Sequence, residues 1–167
     1  RAMATTEVLG WDEAFLGVHT DDPVRFARAV QAAVLASTEL HCSIGIGDTR
    51  ARAKNATDFG KPRGTFMLTR ENWLDVMGGR PTRALWGVGA KVSARLTAHG
   101  ITTVAELAAT ELPVLQAEFG PRIGVWYSEL GRGEGSAEVD PPPWIPRSHS
   151  RETTYQQDLV TVPALEA

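Results

Sequence analysis

The chain has 167 residues, 43% of them hydrophobic, which is enough for one well-packed core or for two small domains in contact. No segment approaches the roughly 18 consecutive apolar residues that a membrane-spanning helix needs. The single cysteine, Cys42, excludes an internal disulfide, and four scattered histidines argue against a zinc site. We therefore expect a cytoplasmic protein with no membrane partner.

The net charge of −3 hides a segregation of charge along the chain. Residues 47–70 and 80–132 are richer in basic than in acidic side chains, whereas residues 1–40 and 133–167 are net acidic. Local fields matter more to a polyanionic partner than the total charge does. The two basic segments favour such a partner, and a solvated mixed surface is the alternative.

The first predicted elements are two short strands, at residues 7–11 and 14–18, with Asp12 and Glu13 at their junction. Apolar residues flank this acidic pair on both sides, although hydrophobic cores normally exclude charge. Open solvent or a bound cation must compensate for the repulsion between the two carboxylates. A hard divalent ion with oxygen ligands would suit them, so a solvated turn and a metal site both stay open.

Helices and strands alternate over the next 60 residues or so. Asp22 can cap a helix over residues 23–39, which carries apolar side chains at helical spacing, and Asp48 or Thr49 can cap another. The other elements are a strand at residues 42–47, a helix at 50–59, a strand at 65–68 and a short helix at 71–77. This β-β-α-β-α-β order predicts an α+β fold in which helices pack on a sheet.

Strand signals vanish beyond residue 80. Four short helices are predicted there, at residues 91–99, 103–108, 111–118 and 121–130. Glycine and proline clusters mark one boundary near residues 79–81 and another within residues 131–146. The predicted units are an α+β part at residues 1–79, an all-α part at 80–132, a linker at 133–146 and the start of a further domain at 147–167.

The most specific local motif is a Leu-Trp-Gly-Val-Gly-Ala-Lys run centred on Val88. Gly87 and Gly89 permit a tight turn with outward-pointing backbone N–H groups, and a helix begins directly after it. Such a turn can hold a nucleic-acid phosphate without reading bases. Lys91 and Arg95 lie four residues apart on the outer face of that helix. The run resembles the helix-hairpin-helix motif, which binds the DNA backbone along the minor groove; a plain helical turn is the alternative.

Lys61 lies between a predicted helix end at Gly60 and the proline at position 62, so its ammonium group is directed by a stiff backbone. It could supply a point charge to a triphosphate. It could equally complement the dipole of the preceding helix, as many C-terminal lysines do. Spacing alone does not distinguish these two roles.

Several segments, in this order along the chain, together resemble Y-family DNA polymerases, the translesion enzymes, and the DNA polymerase IV (DinB) branch most. The Asp-Glu-Ala-Phe run at residues 12–15 is similar to the catalytic motif of that family, an Asp-Glu-Ala-aromatic sequence. The other similar segments are the palm signature at residues 43–46, 53–54 and 61–64, the thumb hairpin at 86–89, and the opening strand of the little-finger domain at 148–155. The resemblance extends over nearly the whole chain.

This resemblance implies a ferredoxin-like partial palm, an antiparallel sheet with helices, followed by an all-α helix-hairpin-helix thumb. It also implies template-directed nucleotidyl transfer with two Mg²⁺ ions, for which Mn²⁺ could substitute. Asp12 would bridge both metals, and Glu13 would hold the ion that activates the primer 3′-hydroxyl. Lys61 would contact the triphosphate of the incoming nucleotide.

The family resemblance also assigns partners. Gly87, Val88, Gly89 and Lys91 would hold backbone phosphates of the primer–template DNA. The further DNA-contact candidates are Lys54 and Arg95. The implied substrates are primer–template DNA and a dNTP, and a sliding clamp would be reached through segments outside this chain.

The chain departs from the family at two places. Another aspartate, on a strand far upstream, completes the metal site in the family, and only eleven residues precede Asp12 here. Gly10 and Trp11 replace the small polar and aliphatic pair expected before the acids. We therefore expect a palm-and-thumb fragment that lacks polymerase activity alone but binds DNA weakly. A non-catalytic helix-hairpin-helix repair module and a small metal-dependent phosphohydrolase are the alternatives.

Overall fold

The computed structural model describes residues 4–139, 150–152 and 154–156. Its first part contains the elements β1 (Thr5–Val8), β2 (Ala14–Gly17), α1 (Pro23–Thr38), β3 (Ile44–Gly47), α2 (Arg50–Gly60), β4 (Thr65–Leu68) and α3 (Trp73–Met77). A short 3-10 helix at Thr82–Ala84 then leads to α4 (Ala90–Ala98), α5 (Val104–Ala109), α6 (Leu112–Phe119) and α7 (Pro121–Gly131). The predicted α+β order and the all-α second part are confirmed. Within the ranges described, no helix is long and apolar enough to cross a membrane.

Strand pairing corrects the prediction of an antiparallel sheet. β1 and β2 form an antiparallel hairpin in which Glu7 lies opposite Phe15. β3 and β4, however, pair in parallel, with Ile44 opposite Thr65, and form a separate two-stranded sheet. The chain leaves β3, passes through α2 and returns as β4, and such a helical crossover gives parallel neighbours. The antiparallel prediction therefore holds only for the first hairpin.

Helix α2 lies directly on the β3–β4 sheet. A Cβ atom at Gly45 of β3 would collide with the backbone of Ala53 in α2, so only glycine allows this close approach. Ala51 and Ala56 are buried on the same helix. The alternation of glycine and isoleucine in β3 is thus the sequence signal of a strand covered by a helix.

Local capping sets the helix starts close to where the sequence predicts them. The side chain of Asp22 accepts a hydrogen bond from the backbone N–H of Arg25 at 2.9 Å, as expected for the first residue before α1. Of the two candidates before α2, Thr49 is the cap, accepting from the N–H of Arg52 at 3.2 Å. Asp48 instead pairs with the guanidinium of Arg52 at 2.8 Å.

One hydrophobic core joins the two parts of the chain. It includes Trp73 and Met77 of α3 together with Leu96, Val104 and Leu107 of the all-α part, all at most 1% exposed. The indole Nε1 of Trp73 also donates to the carbonyl oxygen of residue 131 at 2.8 Å. The α+β and all-α parts are therefore packed against each other.

The segment after α7 is docked on α2. The hydroxyl of Thr49 donates to the carbonyl oxygen of Gly133 at 2.9 Å, and the N–H of Arg50 donates to that of Ser136 at 3.0 Å. The described beginning of the predicted linker, residues 133–139, is thus in contact with the α+β part. The rest of that linker lies outside the described residues, as do residues 148, 149 and 153 of the predicted little-finger strand, and the described residues 150–152 and 154–156 show no strand.

Candidate functional site

The acidic pair lies in the turn between β1 and β2, residues 9–13, which we call the acidic turn. The N–H of Leu9 donates to the carbonyl oxygen of Glu13 at 2.9 Å and closes it. Asp12 and Glu13 are both exposed, and the neighbouring Trp11 is fully exposed. The predicted placement of the acids at a strand junction is confirmed.

Helix α2 supports this turn from one side. The ammonium group of Lys54 forms an ion pair with Glu13. The guanidinium of Arg50 binds Glu7 of β1 at 2.6 Å and lies 4.6 Å from the ring centre of Phe15 in β2. Both strands that lead into the acidic turn are therefore fixed to the same helix.

The acidic turn offers the right ligand type for a divalent ion but too few ligands. Carboxylate oxygens are what Mg²⁺ prefers. Across residues 4–139, 150–152 and 154–156, however, no group of three or more His, Cys, Asp or Glu side chains is placed to hold a metal ion. Lys54 already compensates the charge of Glu13. The two carboxylates alone therefore do not make a complete metal site.

Lys61 follows the end of α2 and is exposed. Its ammonium group pairs with Asp58 at 2.7 Å, and both side chains are more than 60% exposed. The hydrogen bond to Asp58 raises the pKa of Lys61 above its ordinary value, and the charge of Glu13 adds a smaller effect in the same direction. Lys61 and Lys54 thus both lie within electrostatic range of the acidic turn.

The second predicted site, residues 85–89, is a tight turn that we call the glycine turn. Gly87 has φ +93°, and a Cβ there would lie 2.5 Å from the ring of Trp126 on α7. Val88 is buried and its N–H donates to the carbonyl of Leu85 at 3.0 Å. The glycine turn therefore needs glycine at position 87 for both its backbone conformation and its packing.

Gly89 is the N-cap of α4 and leaves the start of that helix open. Among the described residues, no side chain accepts a hydrogen bond from the first turn of the helix, and a Cβ at Gly89 would have no atom within 4 Å beyond its own chain neighbours. Lys91, in the same turn, is exposed. Free amide groups, the positive end of a helix dipole and a lysine in open space are the components of an anion site.

Arg95 has a different environment from Lys91. Its Nε donates to Oε1 of Glu118 at 2.6 Å, and its guanidinium lies 4.5 Å from the ring centre of Phe119. Hydrogen bonds from His99 and Arg95 hold the pKa of Glu118 below its usual value. Arg95 therefore joins α4 to the end of α6, and its predicted DNA contact has weaker geometric support than that of Lys91.

The acidic turn and the glycine turn are connected through neighbouring residues. The ring of Phe15, two residues after Glu13, meets the ring of Trp86 edge-on with centroids 6.2 Å apart. The side-chain oxygen of Asn55 on α2 accepts from the N–H of Trp86 at 3.0 Å. The structure thus places the two predicted sites on a common support.

Sequence reasoning missed three of the residues that build these sites, namely Arg50, Asn55 and Trp126. Their partners lie between 31 and 43 positions away along the chain, or, for Trp126, on a helix that reaches Gly87 only after folding. The one available signal was Glu7, a charged residue that faces the same side of the hairpin as Phe15. An acid at such a position requires a basic partner.

Two family models match the chain. Residues 1–58 match a model described as the impB/mucB/samB family, and residues 83–134 match one described as DNA polymerase-iota, thumb domain. The first match includes the acidic turn and most of α2, and the second includes the glycine turn and the four helices after it. The two sites therefore fall in separate, adjacent parts of one type of protein.

Relatives and solved structures agree with these matches. The chain is 44% identical over 164 residues to DNA polymerase IV 2 of Mycobacterium tuberculosis. This alignment covers 96% of this chain and 47% of the relative. A crystal structure of DinB from Sulfolobus solfataricus matches with TM-score 0.68 and 20% identity, over 80% of this chain and 42% of that one. A Y-family DNA polymerase chimera, Dbh-Dpo4(243-245)-Dbh, matches with TM-score 0.74 and 20% identity, over 84% of this chain and 42% of the chimera.

The chain spans about half the length of the curated relatives that it matches. Both family models, the named relatives and the shared fold point to the same class of protein. The chain belongs to the Y family of DNA polymerases, in the DNA polymerase IV (DinB) branch.

Proposed function

We propose that this chain supplies the acidic turn of the palm and the DNA-binding thumb of a translesion DNA polymerase, which catalyses template-directed nucleotidyl transfer. The open N-terminus of α4 behind the glycine turn carries this proposal, because no side chain of the part of the chain that the structure describes caps it or fills the space beside Gly89. An anion can reach these amides without displacing any described part of the protein.

In this proposal the glycine turn binds a phosphate of duplex DNA. The amides around Gly89 would donate to the phosphate oxygens, and the exposed Lys91 would add a positive charge. These contacts carry no base information, so binding would be independent of sequence. That property suits an enzyme that must follow DNA of any sequence.

The acidic turn would contribute to metal binding. Asp12 and Glu13 would supply two of the carboxylates for two Mg²⁺ ions, with Mn²⁺ as an alternative, and these ions would stabilise charge on the reacting oxygens. Glu13 would exchange its ion pair with Lys54 for the metal. Because the described residues lack a third carboxylate beside the pair, we propose that the chain alone has negligible polymerase activity.

Lys61 and Lys54 are the proposed contacts to the nucleotide triphosphate and the substrate strand. The ion pair of Lys61 with Asp58 is exposed, and such surface pairs contribute only about 0–1 kcal/mol. Lys61 can therefore leave Asp58 for a phosphate at little cost. The proposed partners are primer–template DNA, a dNTP and, in the whole protein, a sliding clamp. We place the protein in the cytoplasm, where its proposed substrates are found.

Binding to a fluorescent primed duplex tests the thumb part of this proposal. We expect the anisotropy of the duplex to rise with protein, and the affinity to fall linearly with salt on a double-logarithmic plot, because phosphate contacts release counterions. Duplexes of unrelated sequence should bind equally well. An affinity that does not change with salt would contradict the proposed phosphate contacts.

Calorimetric titration with Mg²⁺ and Mn²⁺ tests the acidic turn and separates the alternatives. Weak binding by the wild-type chain that disappears in Asp12→Ala supports the metal role. Identical traces for both proteins would favour a non-catalytic DNA-binding module. Hydrolysis of a nucleotide without primed template would indicate a phosphohydrolase, and primer extension at an ordinary polymerase rate would refute the proposed inactivity.

A further inference from the structure

Helix α2 contacts both turns through two consecutive residues. Lys54 pairs with Glu13 of the acidic turn, and Asn55 binds the backbone of Trp86 in the glycine turn. We propose that Asn55 is a positioning residue, which fixes the glycine turn relative to the acidic turn. This proposal rests on the function proposed above, in which the two turns act on one DNA substrate.

The hydrogen bonds of Asn55 define the orientation of its side-chain amide. Nδ2 donates to the carbonyl oxygen of Ala51 at 2.7 Å, and Oδ1 accepts from the N–H of Trp86 at 3.0 Å. Rotating the amide by half a turn would bring donor against donor and acceptor against acceptor. The oxygen of Asn55 is therefore directed towards Trp86 by the bond that its nitrogen makes within α2.

A buried asparagine inside a helix lowers helix stability, and the hydrogen bond to Trp86 offsets this loss. Asn55 is only 3% exposed, among small apolar neighbours such as Ala51 and Ala56. An apolar side chain would serve helix packing there at least as well, because asparagine competes for backbone hydrogen bonds. The amide is useful at this position because it satisfies the N–H of Trp86, which would otherwise lack its partner.

A second contact, made by its ring, holds Trp86 to the palm. The ring of Trp86 meets Phe15, and Phe15 itself lies under the guanidinium of Arg50 on α2. The residue before Gly87 is thus fixed through its backbone by α2 and through its ring by β2. Such placement matters because a misplacement of about 1 Å can reduce a reaction rate by about 100-fold.

The test compares three variants of the full chain. Asn55→Leu removes both hydrogen bonds, whereas Asn55→Asp keeps an acceptor for the N–H of Trp86. Gln31→Leu is the matched control, because Gln31 is another amide that joins palm elements, donating from α1 to the carbonyls of Cys42 and Gly64. The measurements are thermal unfolding, hydrogen–deuterium exchange of the glycine turn, and affinity for a fluorescent primed duplex.

We expect Asn55→Leu to accelerate amide exchange in the glycine turn by about tenfold and to weaken duplex binding by about three- to tenfold. Asn55→Asp keeps the acceptor but loses the bond to Ala51, so its exchange rate at Trp86 should lie between those of the wild type and Asn55→Leu. Gln31→Leu should lower the melting temperature without changing exchange in the glycine turn or duplex affinity. If Asn55→Leu does not fold, the smaller Asn55→Ala, which also removes both hydrogen bonds, replaces it, and a wild-type exchange rate in the glycine turn of that variant contradicts the proposal.

Wild-type exchange in Asn55→Leu would overturn the positioning role, as would an equal loss of duplex affinity in Gln31→Leu. Absence of duplex binding by the wild-type chain is a different result, because it refutes the proposed function of the glycine turn. The exchange measurement would still decide in that case whether Asn55 holds Trp86 in place.

Discussion

Gly87 combines two constraints in one residue. Its φ of +93° disfavours any side chain, and the ring of Trp126 occupies the space where a Cβ would be. Gly100, after α4, shares only the first constraint, because it has φ +75° and no atom within 4 Å of a Cβ. Comparing substitutions at Gly87 and Gly100 therefore separates the cost of backbone strain from the cost of steric collision.

We expect Gly87→Ala to lower the free energy of unfolding by about 2–4 kcal/mol and Gly100→Ala by only about 1–2 kcal/mol. The difference is the cost of moving Trp126, and urea denaturation of both variants measures it. Equal losses would mean that Trp126 does not pack against Gly87 as described.

Contacts between single residues also show where prediction from sequence ends. The sequence predicted the acids of the acidic turn, Gly87 and Lys91 as candidate site residues, because each belongs to a short local motif. Asn55 was not predicted, because its partner Trp86 is 31 positions away and an asparagine in a basic helix gives no signal by itself. Arg95 was predicted to face DNA, yet the glutamate at position 118 competes for it.

Among the elements, α5 has the strongest local start signal. Thr103 and Glu106 form a reciprocal capping box, and the carboxylate of Glu106 also accepts from the hydroxyl and N–H of Thr102 at 2.8 and 2.7 Å. The hydrogen bond from the Thr102 hydroxyl is the largest cause that lowers the pKa of Glu106 from 4.5 to about 2. The ionised carboxylate is therefore part of the folded structure.

This shift predicts acid sensitivity with a definite sign. A pKa that is lower in the folded state stabilises the fold above the unfolded value of 4.5, and this contribution is lost as the pH falls towards about 2. We expect the melting temperature to drop over this range, and to drop less in Glu106→Gln. Thermal unfolding between pH 6 and 2 measures both, and an unchanged pH profile in Glu106→Gln would contradict the capping role.

Element boundaries and element pairing differ in how well the sequence predicts them. Helix boundaries such as those of α1 and α7 agree within one residue, because caps, prolines and glycines act locally. The predicted antiparallel pairing was wrong for β3 and β4, which pair in parallel because the chain returns from β3 to β4 through the crossover helix α2. The 3-10 helix at Thr82–Ala84 was also missed, being too short for any periodicity.

At the scale of the whole molecule, α2 is the element that relates the palm to the thumb. It binds the acidic turn through Lys54, the glycine turn through Asn55, and the segment after α7 through Arg50. The core continues from α3 into the thumb helices without a break. The sequence predicted two units and a linker, but the docking of residues 133–139 on α2 depends on tertiary contacts that no local pattern encodes.

The central claim is that the glycine turn binds a DNA phosphate at the open start of α4, and Gly89→Ala tests it most directly. The added methyl group would touch none of the residues described, its chain neighbours aside, so this variant should fold like the wild type but obstruct an approaching phosphate. Gly79→Ala is the matched control, with the same open surroundings outside the turn. We expect duplex affinity to fall about tenfold in Gly89→Ala, with a shallower salt dependence, and to stay at the wild-type value in Gly79→Ala. Equal affinities for all three proteins would contradict the account.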